Sequence, residues 1–374
     1  MDDILKAFPE TLAQVWKSWD PKEESTGQGY NLSPSLKQSE KTFIRDLKVF
    51  DRPATAFNLA GIKFLSFEEA TKQSSAAWPR DEKQYQPPLI IIPQSPGEEA
   101  KAAVAYRSKS TLAYSQSNYG YSTKGHKDKD ALAGLIYLIA HSTLFRYFCL
   151  MTSVRVGADR QTFNKNEFDA LPFPRVEELP ASTRKRICNI ADQLEFDDEK
   201  PWDELDTFIF ELYQLNETDV QYAKDTLFAS ASYRHAGRDA VRPPTSDIRD
   251  QFALRLQDFL QPFFVVCGHR MNVAEPSFQQ NVYQGAWFFL TLYDCDDGDH
   301  SGNVPNELLV TAMAQANENG SSRVIVRIPG RNGLLLGLLS QQRWWTQSRA
   351  VMCGQHILRE HLDAFQIEAK EVID

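Results

Sequence analysis

The sequence is poor in features that would staple, anchor or export the chain. Its five cysteines, Cys149, Cys188, Cys267, Cys295 and Cys353, are scattered and form no C-x-x-C pair. That excludes the ligand spacing of a zinc ribbon and fits buried thiols in a reducing compartment better than a disulfide framework. The most apolar window, Ala131 to Met151, is interrupted by His141, Ser142, Thr143 and Arg146. Those groups are costly in lipid, so the window predicts a buried helix and no membrane span. The opening MDDILKAF is acidic and short, without a signal-peptide pattern. The expected location is the cytoplasm.

Positive charge is also in deficit. Lys and Arg number 41 against 50 Asp and Glu, a formal net charge of -9, which counts against indiscriminate phosphate neutralisation. The distribution says more than the sum. Acid concentrates between Asp192 and Asp225, whereas Gly320 to Arg359 contains no Asp or Glu and carries Arg323, Arg327, Arg331, Arg343, Arg349 and Arg359.

Catalytic motifs are missing as well. Methyl transfer to a base amino group needs a glycine-rich turn for the cofactor and an Asn/Asp-Pro-Pro-aromatic element that holds the flipped base. Gln86-Pro87-Pro88-Leu89 and Arg242-Pro243-Pro244-Thr245 lack both the leading acid or amide and the trailing aromatic. Gly27-Gln28-Gly29 has neither the strand nor the helix start that a dinucleotide turn requires. Glu368-Ala369-Lys370 has the Glu-x-Lys spacing of metal-dependent nucleases but lies at the extreme C-terminal end of the sequence, without a preceding Pro-Asp. Asp294 to His300 crowds carboxylates around Gly298 yet lacks the bidentate Glu of a calcium loop. His356 and His361 are five apart and do not stack as i, i+4 ligands would, so they read as surface or helix-end residues. No Gly-x-Ser-x-Gly and no Cys/His pair with an orienting carboxylate is present. The expectation is a chain without catalytic residues, cofactor or metal.

What is present is an ordinary globular composition over 374 residues, 42% hydrophobic, enough for two or three cores. An α+β class is expected: a mixed sheet with helices, a helical segment, and a smaller α/β C-terminal domain. Residues 1–40 hold a helix, from the spacing of Leu5, Phe8, Leu12, Val15, Trp16 and Trp19, followed by a loop. Residues 41–180 mix strands, notably LIIIP after Pro87-Pro88, with one long helix from about Asp130 to Met151 and a proline-rich exit at LPFPRVEELP. Residues 181–229 read as three helices, 230–250 as an exposed Arg/Ala/Pro/Ser linker, and 251–374 as a compact unit. In that unit WFFLTLYD, RVIVRI and Gly333 to Leu339 are strands, and Asn306 to Asn317 and Trp344 to Leu362 are helices.

Nucleic-acid signals are better than catalytic ones. The stretch AYRSKSTLAYSQSNYGYSTKGHK interleaves Arg107, Lys109, Lys124 and Lys127 with Tyr106, Tyr114, Tyr119 and Tyr121, and adds Gln116 and Asn118. Basic and hydroxyl groups bond phosphates, and amides and guanidinium groups read base edges. The same composition suits an exposed polar loop of an antiparallel sheet. Arg155, Arg160 and Lys165 extend the same chemistry. A second patch is Arg331, Arg343, Trp344, Trp345 and Arg349, although paired tryptophans are more often packing anchors.

In order and spacing, PPLIIIP, AYRSKSTLAYSQSNYGY, ALAGLIYLIAHSTLFRYFCL and NEFDALPFP resemble the target-recognition region of TaqI-like N6-adenine DNA methyltransferases and fused restriction–methylation enzymes. The family's leucine-rich helix ending in Leu-Phe-x-Tyr is matched by Leu138 to Tyr147, and its Leu-Pro-x-Pro exit by Leu171-Pro172-Phe173-Pro174. LDTFIFELYQLNETDVQYAKDTL is similar to its closing helical segment. The resemblance covers roughly Phe43 to Leu227 and includes none of the family's cofactor or catalytic motifs. It implies a DNA-binding specificity component for double-stranded DNA, working with a separate methyltransferase or restriction subunit. The acidic Asp192–Asp225 segment, which would repel DNA, is expected to be the protein-docking surface. The alternative is a protein-binding adaptor or inhibitor, a DNA mimic by its acidity.

Overall fold

The computed structural model describes residues 2–31, 47–50, 65–66, 69, 81–94, 105–153, 164–196, 201–230, 237–276, 286–295 and 304–366. The protein has an α+β fold, and its residues divide into two compact units, Met1–Leu227 and Phe228–Asp374.

In the first unit the N-terminal segment forms two helices, α1 (Asp2–Lys6) and α2 (Leu12–Trp19), where the apolar spacing predicts one. Pro9 disfavours helical geometry at Phe8. Thr11 then starts α2 with a capping box, its N–H donating to Gln14 Oε1 at 2.8 Å. Strands β1 (Thr26–Gln28), β2 (Lys48–Val49), β3 (Leu65–Ser66), β4 (Leu89–Pro93), β5 (Tyr106–Ser108), β6 (Leu112–Ala113) and β7 (Asn118–Ser122) form two sheets. One is antiparallel in the order β1-β7-β4-β5, and the smaller runs β3-β2-β6 with β2 and β6 parallel.

The unbroken apolar run LIIIP is explained by burial on both faces. Ile90 and Ile92 join the helical core, while Leu89 and Ile91 join Val49, Phe50, Tyr85, Tyr106 and Tyr114 on the other side. Each such side chain contributes about 1.5–3 kcal/mol relative to exposure.

The helix expected from Asp130 to Met151 is two helices, α3 (Lys129–His141) and α4 (Thr143–Thr152), bent by 65°. The break is built by hydrogen bonds at Ser142 and Thr143. The Ser142 hydroxyl accepts from Phe145 N–H at 3.2 Å, and the Asp206 carboxylate accepts from Thr143 N–H at 2.8 Å and from its hydroxyl. Every residue of α3 from Ala131 to His141 is buried, as a helix apolar on all sides requires. Among the described residues no single helix is long and apolar enough to cross a membrane.

Helices α5 (Lys165–Asp169), α6 (Ala181–Phe196), α7 (Pro201–Leu212) and α8 (Glu217–Ser230) complete the unit. A Cβ at Gly134 on α3 would lie 2.9 Å from Ile187 Cγ2 on α6, so only glycine permits that approach. The proline-rich exit is tied to the N-terminal segment, with Leu12 N–H donating to Leu171 O at 2.9 Å and Phe173 N–H to Glu10 O at 2.8 Å. Segments 1–40 and 181–229, distinct in the sequence reading, therefore contribute to one core with the stretch between them.

In the second unit the stretch 230–250 is not simply a linker. It contains α9 (Gly237–Val241) and the start of α10 (Ser246–Val266). The Arg/Pro/Ser composition hides capping chemistry: Thr245 Oγ1 accepts from Ile248 N–H at 3.4 Å, and the buried stripe Phe252, Leu256, Leu260 and Phe264 follows. Then come β8 (Met271–Ala274), β9 (Trp287–Asp294), α11 (Asn306–Glu318), β10 (Arg323–Arg327), β11 (Gly333–Leu339) and α12 (Gln347–Glu360). The sheet order is β10-β11-β9-β8, antiparallel throughout. Leu290, Leu292, Leu334, Leu336 and Leu338 pack with α10 and α12 in one core, while Trp287, Val324 and Leu335 pack with α11 in another, so helices cover both faces.

Candidate nucleic-acid interface

The Tyr/Lys/Arg-rich stretch is mostly interior, a correction to its reading as an exposed DNA-facing loop. It folds into β5, β6 and β7, and Arg107, Tyr114, Asn118, Tyr119 and Tyr121 are all buried. Tyr114, wholly buried, lies across the backbone of Gly120, where a Cβ would come within 1.8 Å of its hydroxyl oxygen; that hydroxyl donates to Gly27 O at 3.4 Å. The Tyr121 hydroxyl donates to Asp169 Oδ1 at 2.7 Å, and burial together with the Asp169 charge holds its pKa well above the ordinary phenol range. Lys165 completes this cluster, its ammonium 2.5 Å from Asp169 Oδ2 and 5.1 Å from the Tyr121 ring centroid.

Arg107 pairs with Asp192 and lies 5.9 Å from the Tyr137 ring centroid. The Asn118 amide donates to Ser115. The physical reason is that tyrosine and short polar residues suit strands when their polar tips find internal partners. Side chains so enclosed do not reach base edges from this arrangement.

Four of the expected residues are exposed. Lys109 is 67% exposed with its ammonium 3.8 Å from Asp192, and Gln116, Lys124 and Lys127 face solvent. Lys124 and Lys127 flank Gly125, whose φ of +102° favours glycine at this turn. His126 between them is buried, its ring 5.4 Å from Trp19 and its Nε2 3.5 Å from Glu177. Arg155 and Arg160 lie outside the described residues.

Part of the acidic segment is also engaged internally. Asp192 meets Arg107, Asp206 caps α4, and Glu211 pairs with Arg186 at 2.7 Å. Glu204 and Glu217 remain exposed.

The second patch divides in the same way. Trp345 is a core anchor, 3% exposed, with its indole N–H donating to Leu339 O at 2.9 Å and its ring centroid 5.2 Å from Phe252. Trp344 is half-buried, with the guanidinium groups of Arg349 and Arg343 at 4.9 and 5.9 Å from its ring centroid. Arg331 is half-buried in the turn between β10 and β11.

Sequence reasoning set aside one cluster that the fold assembles. His356 is on the last turns of α12 and His361 is its C-cap, with φ -136° and ψ 14°; this departure from the helix lets the rings meet edge-to-face at 5.3 Å. Both line a cavity of 280 Å³ with Arg323 of β10 and residues of α11. Helical spacing alone conceals this pair, because it presumes that the helix continues through His361. The available signal was the acid-free stretch from Gly320 to Arg359.

No protein-family model and no curated protein matches the chain. Among the described residues no three His, Cys, Asp or Glu side chains are grouped to hold a metal ion. Burial raises the Cys149, Cys188 and Cys353 thiols above their ordinary pKa, the opposite of what a nucleophilic thiolate needs.

Proposed function

We propose that the chain is a DNA-binding specificity component of a restriction–modification or phage-defence adenine-methylation system, acting with a methyltransferase or restriction catalytic subunit. The observation that carries the reading is charge segregation. A chain with net charge -9 holds a forty-residue stretch free of carboxylates, with six arginines on β10, the β10–β11 turn, and α12 and its approach. The exposed Arg327 and Arg359 of this stretch can make sequence-independent phosphate contacts. The solvent-facing Lys109, Lys124 and Lys127 add cations in the first unit, and Gln116 adds an amide at the opposite end of β7 from Lys124. The buried tyrosines and Arg107 are not reading groups.

The test is fluorescence anisotropy of the full chain with a labelled DNA duplex across a salt series, alone and with the catalytic subunit. The expected slope of log affinity against log salt is about -0.9 per phosphate contacted. Combining Lys109→Ala, Lys124→Ala and Lys127→Ala reduces the magnitude of that slope by about 2–3 while leaving the fold intact, since these side chains are exposed. Absence of salt-dependent duplex binding under both conditions refutes the proposal. Retention of a methyltransferase without DNA affinity favours the protein-binding adaptor instead.

A further inference from the structure

The cavity containing His356 and His361 is built by three elements of the second unit. The last turn of α11 and its cap contribute Gln315 and Asn319, the edge strand β10 and its approach contribute Arg323 and Ser321, and the end of α12 contributes the two histidines. Among the described residues no carboxylate lines it. Arg323 makes no ion pair with a carboxylate among the described residues, and its charge lowers the Cys353 thiol pKa against the larger, raising effect of burial. An arginine that faces a cavity of mixed polar and apolar lining, with no carboxylate partner among the described residues, has donors and charge available for a ligand. Ser321 is held in place, its hydroxyl donating to Arg323 O at 2.6 Å and its N–H to Ala316 O at 2.9 Å. Gln315 and Asn319 are exposed at the α11 side and present amides there.

We propose that this cavity is a binding site for the oxyanion of a small ligand, a phosphate ester or a carboxylate, clamped by Arg323 and by hydrogen bonds from His356 and His361. Its volume of 280 Å³ lies just below the range of ligand pockets, which run from roughly 300 Å³, so it suits a small metabolite and not a duplex. The helix ends at the site present carbonyl dipoles that oppose an anion, an effect that a charge-assisted guanidinium–oxyanion bond offsets. The inference does not depend on DNA binding.

Binding is coupled to pH through the histidines. Burial is the first cause lowering both pKa values. For His356, Arg323, His361 and Arg359 lower it further while Glu360 opposes; for His361, Asp363 and Glu360 oppose while Arg323 and Arg327 lower it. Asp363 is itself paired with Arg327 at 2.6 Å. The imidazoles are therefore neutral at neutral pH. A bound oxyanion favours their protonated forms, so binding takes up protons and strengthens as pH falls.

The experiment uses the full chain and sulfate, whose charge is constant across the relevant pH range. Histidine ring NMR resonances are assigned by single His356→Gln and His361→Gln variants and followed during sulfate titration. Sulfate is expected to move both resonances together and to raise both pKa values, with affinity rising severalfold on acidification. Arg323→Gln is expected to weaken binding about tenfold with an unchanged circular dichroism spectrum, and Arg323→Lys to retain part of the affinity. If Arg323→Gln proves unfolded, the two histidine resonances of the unsubstituted chain still decide. The proposal fails if sulfate leaves both resonances in place, if it moves them equally in a folded Arg323→Gln variant, or if only zinc or duplex DNA moves them.

Discussion

Acidification should destabilise the first unit through His141. This side chain is 1% exposed at the end of α3, and its Nδ1 is 2.8 Å from Tyr137 O while its Nε2 accepts from Ala105 N–H at 3.4 Å. One nitrogen donates and the other accepts, so the ring is a neutral imidazole of defined tautomer. Burial, assisted by the nearby Arg146 charge, lowers its pKa from 6.5 to about 4. Because the folded-state value is the lower one, the unfolded chain takes up the proton first as pH falls. The stability that the neutral ring carries is complete above pH 6.5 and is lost between there and about pH 4. At about 1.36 kcal/mol per unit, the full interval from 6.5 to about 4 costs about 3 kcal/mol, of which about 2 kcal/mol is gone by pH 5. Such a loss is a large fraction of an ordinary domain's stability.

The assay is urea denaturation from neutral pH to pH 4, comparing the native sequence with His141→Gln, whose amide offers one donor and one acceptor without titrating. The variant should lose less stability on acidification by the amounts above. Equal pH dependence in both proteins, or a His141 resonance titrating near 6.5 in the folded state, refutes the reasoning.

Two further outcomes follow from the packing. Gly134→Val forces methyl groups into the contact with Ile187 and should lower stability by about 1–3 kcal/mol, read as a lower urea midpoint with an unchanged slope. Arg107→Ala removes a buried partner of Asp192 and a neighbour of Tyr137, and should cost about 1–3 kcal/mol of stability without changing the salt slope of any duplex binding; a changed slope with unchanged stability would return Arg107 to the surface role first expected of it.

Much of the secondary structure was legible because its signals are local. The strands over Trp287–Asp294 and Gly333–Leu339, and the helix over Asn306–Glu318, follow from apolar runs and periodicities within one segment. The errors share a different cause. Pro9 and Thr11 divided one apolar periodicity into two helices, and Ser142 with the distant Asp206 bent another. The head of α10 reads as linker in sequence because the stripe that buries it begins only at Phe252.

The candidate site was less legible still, because exposure is not a local property. Tyr121 is buried by its pairing with Thr26 and by Asp169, and Arg107 by an aspartate 85 residues away. The edge-to-face contact of His356 and His361 depends on one backbone departure at the end of α12. Composition, charge segregation, the scattered cysteines and most element types were thus determined by the sequence by itself, since they rest on residue chemistry and on spacing along the chain. Tertiary structure alone decided which cations remain in solvent and which tyrosines become core. It also decided that a cavity forms among the acid-free arginines, since burial and charge pairing depend on partners far apart in the chain.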